Sequence, residues 1–279
     1  MNGHGGHFST LNPTRGRDTI CENEHVTLVR NANDNVLDIA RGIINSQLVI
    51  HKFGSNPNIT TTEEDIWNGG NGYTGWITTA SAVRCVSTGN DSGSGSSARS
   101  VKITGLDENF DILEETISLA QPAGTSALTT GTFIRVFRAT VIDVGTYGVA
   151  NENVITIQTT SSVTLAVISA GLGQTEMAMY TIPRNYIGYL KRVSVNVNSQ
   201  KAGRVYLWRR DNADDVSAPF QSKRIISVFS GVSRVSTTVF QSYIKIGEKS
   251  DLWASGIMEA SNGGIDVNYD LVLVKINIP

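Results

Sequence analysis

The side chains that could do chemistry are few. Glu63, Glu64 and Asp65 follow three threonines, and Glu114 and Glu115 stand side by side farther along. Glycoside hydrolysis needs two carboxyl groups about 5–10 Å apart in a cleft. Neighbours on a strand point to opposite faces, so Glu114 and Glu115 cannot form that pair if they lie on one strand. Thr60 to Asp65 reads as a capped helical turn. There a threonine hydroxyl accepts from backbone N–H groups, and the acids suit the positive end of the helix dipole. Of the four histidines, His4 and His7 are spaced H-x-x-H on a glycine-rich tail, without a third ligand nearby. His25 and His51 have no partner motif and read as ordinary polar strand residues. There is no G-x-S-x-G elbow, Walker loop or dinucleotide fingerprint. Asn90 to Ser94 has the start of a calcium loop but lacks its third acid and terminal glutamate, so it reads as a flexible turn. Lys201, Arg204, Arg209 and Arg210 with Trp208 make a basic and aromatic cluster that could stack bases or sugars. Alternation splits Arg209 from Arg210, and Asp211, Asp214 and Asp215 follow at once, so a solvated strand end with local ion pairs is the plainer reading. The expectation is a protein that is not an enzyme, with no catalytic, metal or cofactor-binding residues and no cofactor.

The elements that would position these residues are strands. The chain has 279 residues, long for one domain and comfortable for two. Its charged fraction of 17% is low, with Gly, Ser, Thr and Asn making up the difference. Exposed helices normally need Glu and Lys, so this balance favours strands and turns. A net charge of −2 gives no general reason to bind nucleic acid or an anionic membrane. No apolar run approaches the roughly 20 residues of a membrane span. The N-terminus has no apolar core of a secretory signal. Cys21 and Cys85 cannot build a disulfide framework and are expected as free thiols.

Residues 1–40 read as an extended N-terminal arm, with Gly3, Gly5, Gly6 and Pro13 opposing regular structure. Cys21 to Val29 could be a short strand. Asp34 to Ile44 fits a helix, with a strand bulged at Gly42 as the alternative. Leu48 to Phe53 is a strand expected to stop at Gly54, with a turn at Asn56-Pro57-Asn58. Trp67, set among Asn68-Gly69-Gly70-Asn71-Gly72, suggests a plug that pins a compact loop to a core. Gly75 to Val86 reads as one or two strands, and Thr88 to Ser97 as a long surface loop. Arg99 to Leu106 and Leu113 to Leu119 alternate around Asp107-Glu108-Asn109, a hairpin signal. Phe133 to Val144 and Asn153 to Gln158 are further strands. A boundary is expected near Thr160, and strand after strand follows to a closing segment, Tyr269 to Ile278, apolar enough to be central. The expected fold is all-β: two antiparallel β-sandwich or jelly-roll-like domains, 41–160 and 161–279, behind the arm.

Two stretches carry a resemblance. The first is His51-Lys52-Phe53-Gly54-x-Asn56-Pro57, then Glu64-Asp65-Ile66-Trp67-x-Gly69-Gly70-x-x-Tyr73, then Gly105-Leu106-Asp107 and Glu114-Glu115-Thr116. The second is Tyr180-Thr181-Ile182-Pro183, Gly188-Tyr189-Leu190 and Glu248-Lys249-Ser250-Asp251-Leu252. Together, over roughly Gly42 to the C-terminus, the sequence resembles virion structural proteins of tailed bacteriophages. The resemblance carries no catalytic residue across. It implies a β-rich particle component: a head-decoration (cement) protein, a head fibre or knob, or a tail-associated protein. The first expectation is a capsid decoration protein, made in the host cytoplasm and located in the virion. It would be a symmetric homo-oligomer, most plausibly a trimer, on the major capsid protein, with no direct nucleic-acid or membrane partner. Residues 1–40 and the 54–73 loop would carry the contacts. The alternative is a host-surface (glycan) binding protein of a tail or head fibre, with Trp208, Tyr206 and Trp253 as candidates; a polysaccharide depolymerase ranks last.

Overall fold

The structure is a computed structural model, and it describes residues 35–198 and 201–276. The expectations for His4, His7, Cys21, His25 and most of the arm lie outside the described residues. The first described element is a short helix, α1 (Asn35–Ala40). Gly42, at φ 71°, closes it: its N–H donates to Ile39 O and the Ile43 N–H to Asp38 O, each at 2.9 Å. This paired closure needs a left-handed residue, which glycine supplies without a Cβ penalty.

Fifteen strands follow among the described residues. β1 (Gln47–Ile59) and β2 (Glu64–Asp65) come first, then β3 (Val83–Val86), β4 (Ala98–Leu106), β5 (Ile112–Ser118), β6 (Arg135–Val144), β7 (Ile155–Thr159) and β8 (Thr164–Ile168). The chain continues with β9 (Met179–Thr181), β10 (Tyr186–Asn198), β11 (Gly203–Arg210), β12 (Arg224–Val232), β13 (Val235–Ile246), β14 (Asp251–Met258) and β15 (Gly263–Lys275). One sheet runs β1-β15-β10-β13, and a second runs β12-β11-β14, with β2 and β9 both hydrogen-bonded to β14. Taking β2 and β9 as halves of one interrupted strand, the two sheets hold eight strand positions in jelly-roll order. β15 is central, paired with both β1 and β10, as its apolar sequence suggests.

Between β2 and β9 the chain builds a second unit of two three-stranded sheets, β3-β7-β8 and β5-β4-β6. Strand pairing therefore crosses the division expected near Thr160: β1 pairs with β15, and β8 pairs with β7. Two cores result, and alternation along single strands feeds both. Ala178 and Tyr180 enter the jelly-roll core, while Met177 and Met179 enter the other. On β14, Leu252 and Ala254 face the first core and Trp253 faces the second. β14 is thus covered on both faces, which is why Asp251 to Gly256 are all buried.

The 50–73 stretch departs most from expectation. β1 does not stop at Gly54. It pairs with β15 through Asn56 and shifts register between Asn56 and Ile59, leaving Pro57, which lacks an N–H, in the irregularity. Gly54 is there because another backbone crosses it: a Cβ would lie 2.1 Å from the Ala178 amide nitrogen. The helical turn at Thr60 to Asp65 is absent. Glu64 instead clamps the loop, its carboxylate accepting from Thr60 N–H at 2.9 Å and Asn71 N–H at 3.2 Å. Those backbone bonds hold its pKa below the usual range even though burial opposes ionisation. Ile59 and Ile66 pack in the first core, and Trp67 and Tyr73 in the second. The plug reading of Trp67 fits: it is buried, donates from Nε1 to Gly70 O at 2.9 Å and meets Tyr73 edge-on.

Elsewhere the departures are small. Only Val83–Val86 of the 75–86 run is a strand. The 88–97 loop is pinned at Asp91, which is fully buried and accepts from the N–H groups of Ala98, Glu152 and Asn153. The flexible-turn reading of 90–94 fails because this carboxylate serves as the loop's internal backbone acceptor. The β4–β5 hairpin forms as expected; Asp107 Oδ1 accepts from Asn109 N–H at 2.8 Å and Asp111 N–H at 2.9 Å.

Candidate functional site

The outer face of the β14 sheet carries the most concentrated chemistry among the described residues. Register places Asp65, Ser255 and Tyr206 in one cross-strand row. The next row is Met179, Trp253 and Trp208, and the next is Thr181, Asp251 and Arg210. Residues two apart on a strand share a face, so all three rows point away from the jelly-roll core. The inserted unit covers part of this face and leaves a cleft of about 530 Å³. Its lining includes Glu63, Glu64, Asp65, Tyr73, Trp76 and Trp253 together with Arg210, Gln221 and Lys223.

The aromatic groups run in a line. Tyr73 meets Trp76 edge-on at 5.1 Å, Trp76 lies 5.4 Å from Trp253, and Trp253 stacks on Trp208 at 6.2 Å. Lys223 Nζ sits 4.1 Å from the Trp208 ring centre, and the guanidinium groups of Arg135 and Arg210 lie over Trp76 at 5.3 and 5.5 Å. Trp208 Nε1 donates to Ser255 Oγ at 2.7 Å, and that hydroxyl donates to Glu63 Oε1 at 2.8 Å. Glu63 is exposed but aimed by this chain of donors. Asp65 Oδ2 accepts from Tyr73 N–H at 2.6 Å. Burial, with Glu63 nearby, pushes the Asp65 carboxyl up to about 6, against the hydrogen bonds from Tyr73 and Trp253 and the charge of Lys223.

At the wall of the cleft lies an ion triad in which Asp251 and Arg135 are buried and Arg210 reaches the lining. Asp251 Oδ1 receives Arg135 Nε at 3.0 Å and the Thr181 hydroxyl at 2.7 Å, while Oδ2 receives Arg135 Nη2 at 3.2 Å and Arg210 Nε at 3.1 Å. Burial alone would raise the Asp251 pKa, but the two arginines and Thr181 hold it below the usual carboxylate range. Arg135 also donates to Ile77 O at 2.7 Å and Ile134 O at 2.8 Å. The triad ties β6 of the inserted unit to β11 and β14 of the jelly roll.

The other sequence candidates disperse. Glu114 engages Lys102 and the Thr104 hydroxyl, while Glu115 accepts from the Thr130 and Gly131 N–H groups, so the strand does keep them apart. His51 Nδ1 sits 2.6 Å from Asp270 Oδ1 on the surface. Arg209 and Arg224 pair with Asp211, and Lys249 with Asp214 at 2.7 Å, the local ion pairing expected of that strand end. Burial pushes the Cys85 thiol up to about 12, which makes it inert. Among the described residues no group of three or more His, Cys, Asp or Glu could hold a metal, and no helix is long and apolar enough to cross a membrane. Trp76, Gln221 and the Arg135–Asp251 pair were missed in sequence. For Asp251 and Trp253 the period-two spacing was available; for Trp76, in a stretch without strand structure, no local signal existed.

A second feature of the jelly roll lies away from the cleft. β12 and β13 are the outermost strands at one side of the two sheets, joined through Ser233-Arg234. Ile225, Val228, Val235, Val239 and Tyr243 are exposed along them. β13 is 12 residues long and carries one charge, Lys245.

No family model and no curated protein matches this chain. Among solved structures, the top component of cowpea mosaic virus, a naturally occurring empty particle, is 9% identical. The match covers 73% of this chain and 89% of that one at a TM-score of 0.22. A structure of infectious bursal disease virus, Gt strain, is 6% identical, covering 84% and 74% at a TM-score of 0.25. At those scores the likeness carries no argument, and the jelly-roll assignment rests on the strand order above.

Proposed function

We propose that this chain is a virion structural protein of the tailed-bacteriophage type, a decoration protein that binds the major capsid shell as a symmetric oligomer. The observation that carries the reading is the β12–β13 edge. Edge strands of free monomers are usually short, charged, bulged or covered, because their unpaired N–H and C=O groups template association. Here the edge strand β13 is long and carries one charge; its pairing with β10 shifts register between Val239 and Ile244, yet Val235, Val239 and Tyr243 stay exposed along it. Such an edge suits contact with a second copy of the chain. The jelly-roll order adds support by analogy of fold, since capsid proteins use it, although lectins do too.

The contact role expected of the 54–73 loop gives way to this edge, because Ile59, Ile66, Trp67 and Tyr73 are spent on the two cores. The arm, 1–40, keeps its proposed role in reaching the shell. Light scattering on the purified chain tests the oligomer: three times the 30.0 kDa chain mass is expected. Val235→Lys with Val239→Lys should shift it to monomer without loss of β structure, while an unchanged mass in that variant would remove the edge from the account. A second reading, a surface-binding protein of a head or tail fibre, is favoured by the aromatic-floored cleft.

A further inference from the structure

We propose that the cleft between the β14 sheet and the inserted unit binds a neutral saccharide, held against Trp76 and Trp253 by Glu63, Gln221 and Lys223. This deepens the fibre-type reading by naming its ligand class, and rests on it. The size is right: small-molecule sites occupy about 300–1,000 Å³, with apolar walls and a few convergent polar groups. The cleft has about 530 Å³, and a smaller hollow of about 110 Å³ shares Trp76, Arg210 and Gln221 with it, so a ligand longer than one ring has room to continue.

Charge selects among ligand classes. An anionic ligand would meet Glu63 and Asp65, and a cationic one would meet Lys223 and Arg210. A polyhydroxyl ligand suffers neither conflict, because each hydroxyl both donates and accepts. The lining offers carboxylate acceptors together with lysine and glutamine donors, which suit such groups. The indole walls suit the apolar C–H face of a sugar ring. Lys223 lies over the Trp208 ring and near enough to Asp65 for its charge to act there, on an exposed side chain that a ligand can displace. The cleft is arranged for holding rather than cutting. Glu63 is fixed by the Ser255 hydroxyl, and Asp65 is bonded to the Tyr73 N–H and Trp253.

The test uses the full chain and a panel of neutral hexose and N-acetylhexosamine oligosaccharides beside sialylated, sulfated and amino-bearing ones. Tryptophan fluorescence reports binding. At least one neutral oligosaccharide should shift the emission with saturation, and Glu63→Ala and Lys223→Ala should each weaken it at least tenfold. Both residues are exposed, so both variants should keep the wild-type circular dichroism. Preference for a charged saccharide, or neutral binding untouched by either variant, would overturn the assignment. New reducing ends, released by the wild type and not by Glu63→Gln, would overturn the holding role in favour of hydrolysis. Adsorption to host cells without response to any neutral saccharide would overturn the ligand class alone; no adsorption and no binding would remove the surface-binding reading with it.

Discussion

Asp65 and Asp251 lie in the same sheet and are driven in opposite directions by their surroundings. Asp65 is half-buried with acids and aromatics around it, and its carboxyl rises to about 6. Below the unfolded value near 3.8 the group is protonated in both states and costs nothing. As pH rises to about 6 the unfolded chain ionises first, so this residue's contribution to stability falls, and above 6 the penalty is complete. A shift of about two units corresponds to about 3 kcal/mol at most. Asp65→Asn keeps an acceptor for the Tyr73 N–H. It should raise stability to urea at pH 7–8 by about 1–3 kcal/mol, with the gain vanishing near pH 4. Asp251 has the opposite sign. Its folded pKa is depressed, so its contribution is complete above the unfolded value of 3.8 and is lost as pH falls through the lower folded one. Asp251→Asn leaves Arg135 and Arg210 without their counter-charge, and chemical denaturation should show a loss of about 3–5 kcal/mol at pH 7. The variant should also lack the wild type's final drop in stability at acid pH.

At the scale of elements, the strands that alternate were legible and the crossings were not. The β4–β5 hairpin could be read because its two alternating runs and acidic turn are contiguous, and β15 because a strand paired on both edges is apolar. Gly54 and Asn56-Pro57-Asn58 read as punctuation because glycine and proline usually are. What overrides them is distant: Gly54 admits the backbone at Ala178, and β1 is held straight by β15, more than two hundred residues away. Glu63 and Asp65 read as helix-start acids in sequence because the two-residue β2 is too short to show a period. Gly54→Ala tests the crossing. The new methyl cannot fit beside the Ala178 amide, so the β1 backbone and the Met177–Ala178 segment must move apart, and thermal unfolding should shift to lower temperature by several degrees or more. An unchanged midpoint would mean that the crossing adapts freely.

At the scale of the molecule, one jelly roll carries a second β unit inserted at an interrupted strand, and β14, where the two meet, is buried on both faces. Lys52 shows how closely they are joined. From β1 of the jelly roll its buried ammonium donates to Phe137 O on β6 of the insert and lies over that ring, and burial holds its pKa well below the usual lysine value. Local sequence could suggest two β units, but the interleaving depends on pairing between chain ends and on a face shared by three distant segments. The arrangement separates two surfaces: an exposed apolar edge at β12–β13, which we propose for assembly, and a polar, aromatic cleft at the junction, which we propose for a ligand. The central claim is that the chain belongs to a particle and coats its shell. Immunogold labelling, with antibody to this chain, of intact phage particles from cells that produce it tests it most directly. Gold distributed over the heads is predicted; label on tails alone, or particles that carry none of the chain, would contradict it.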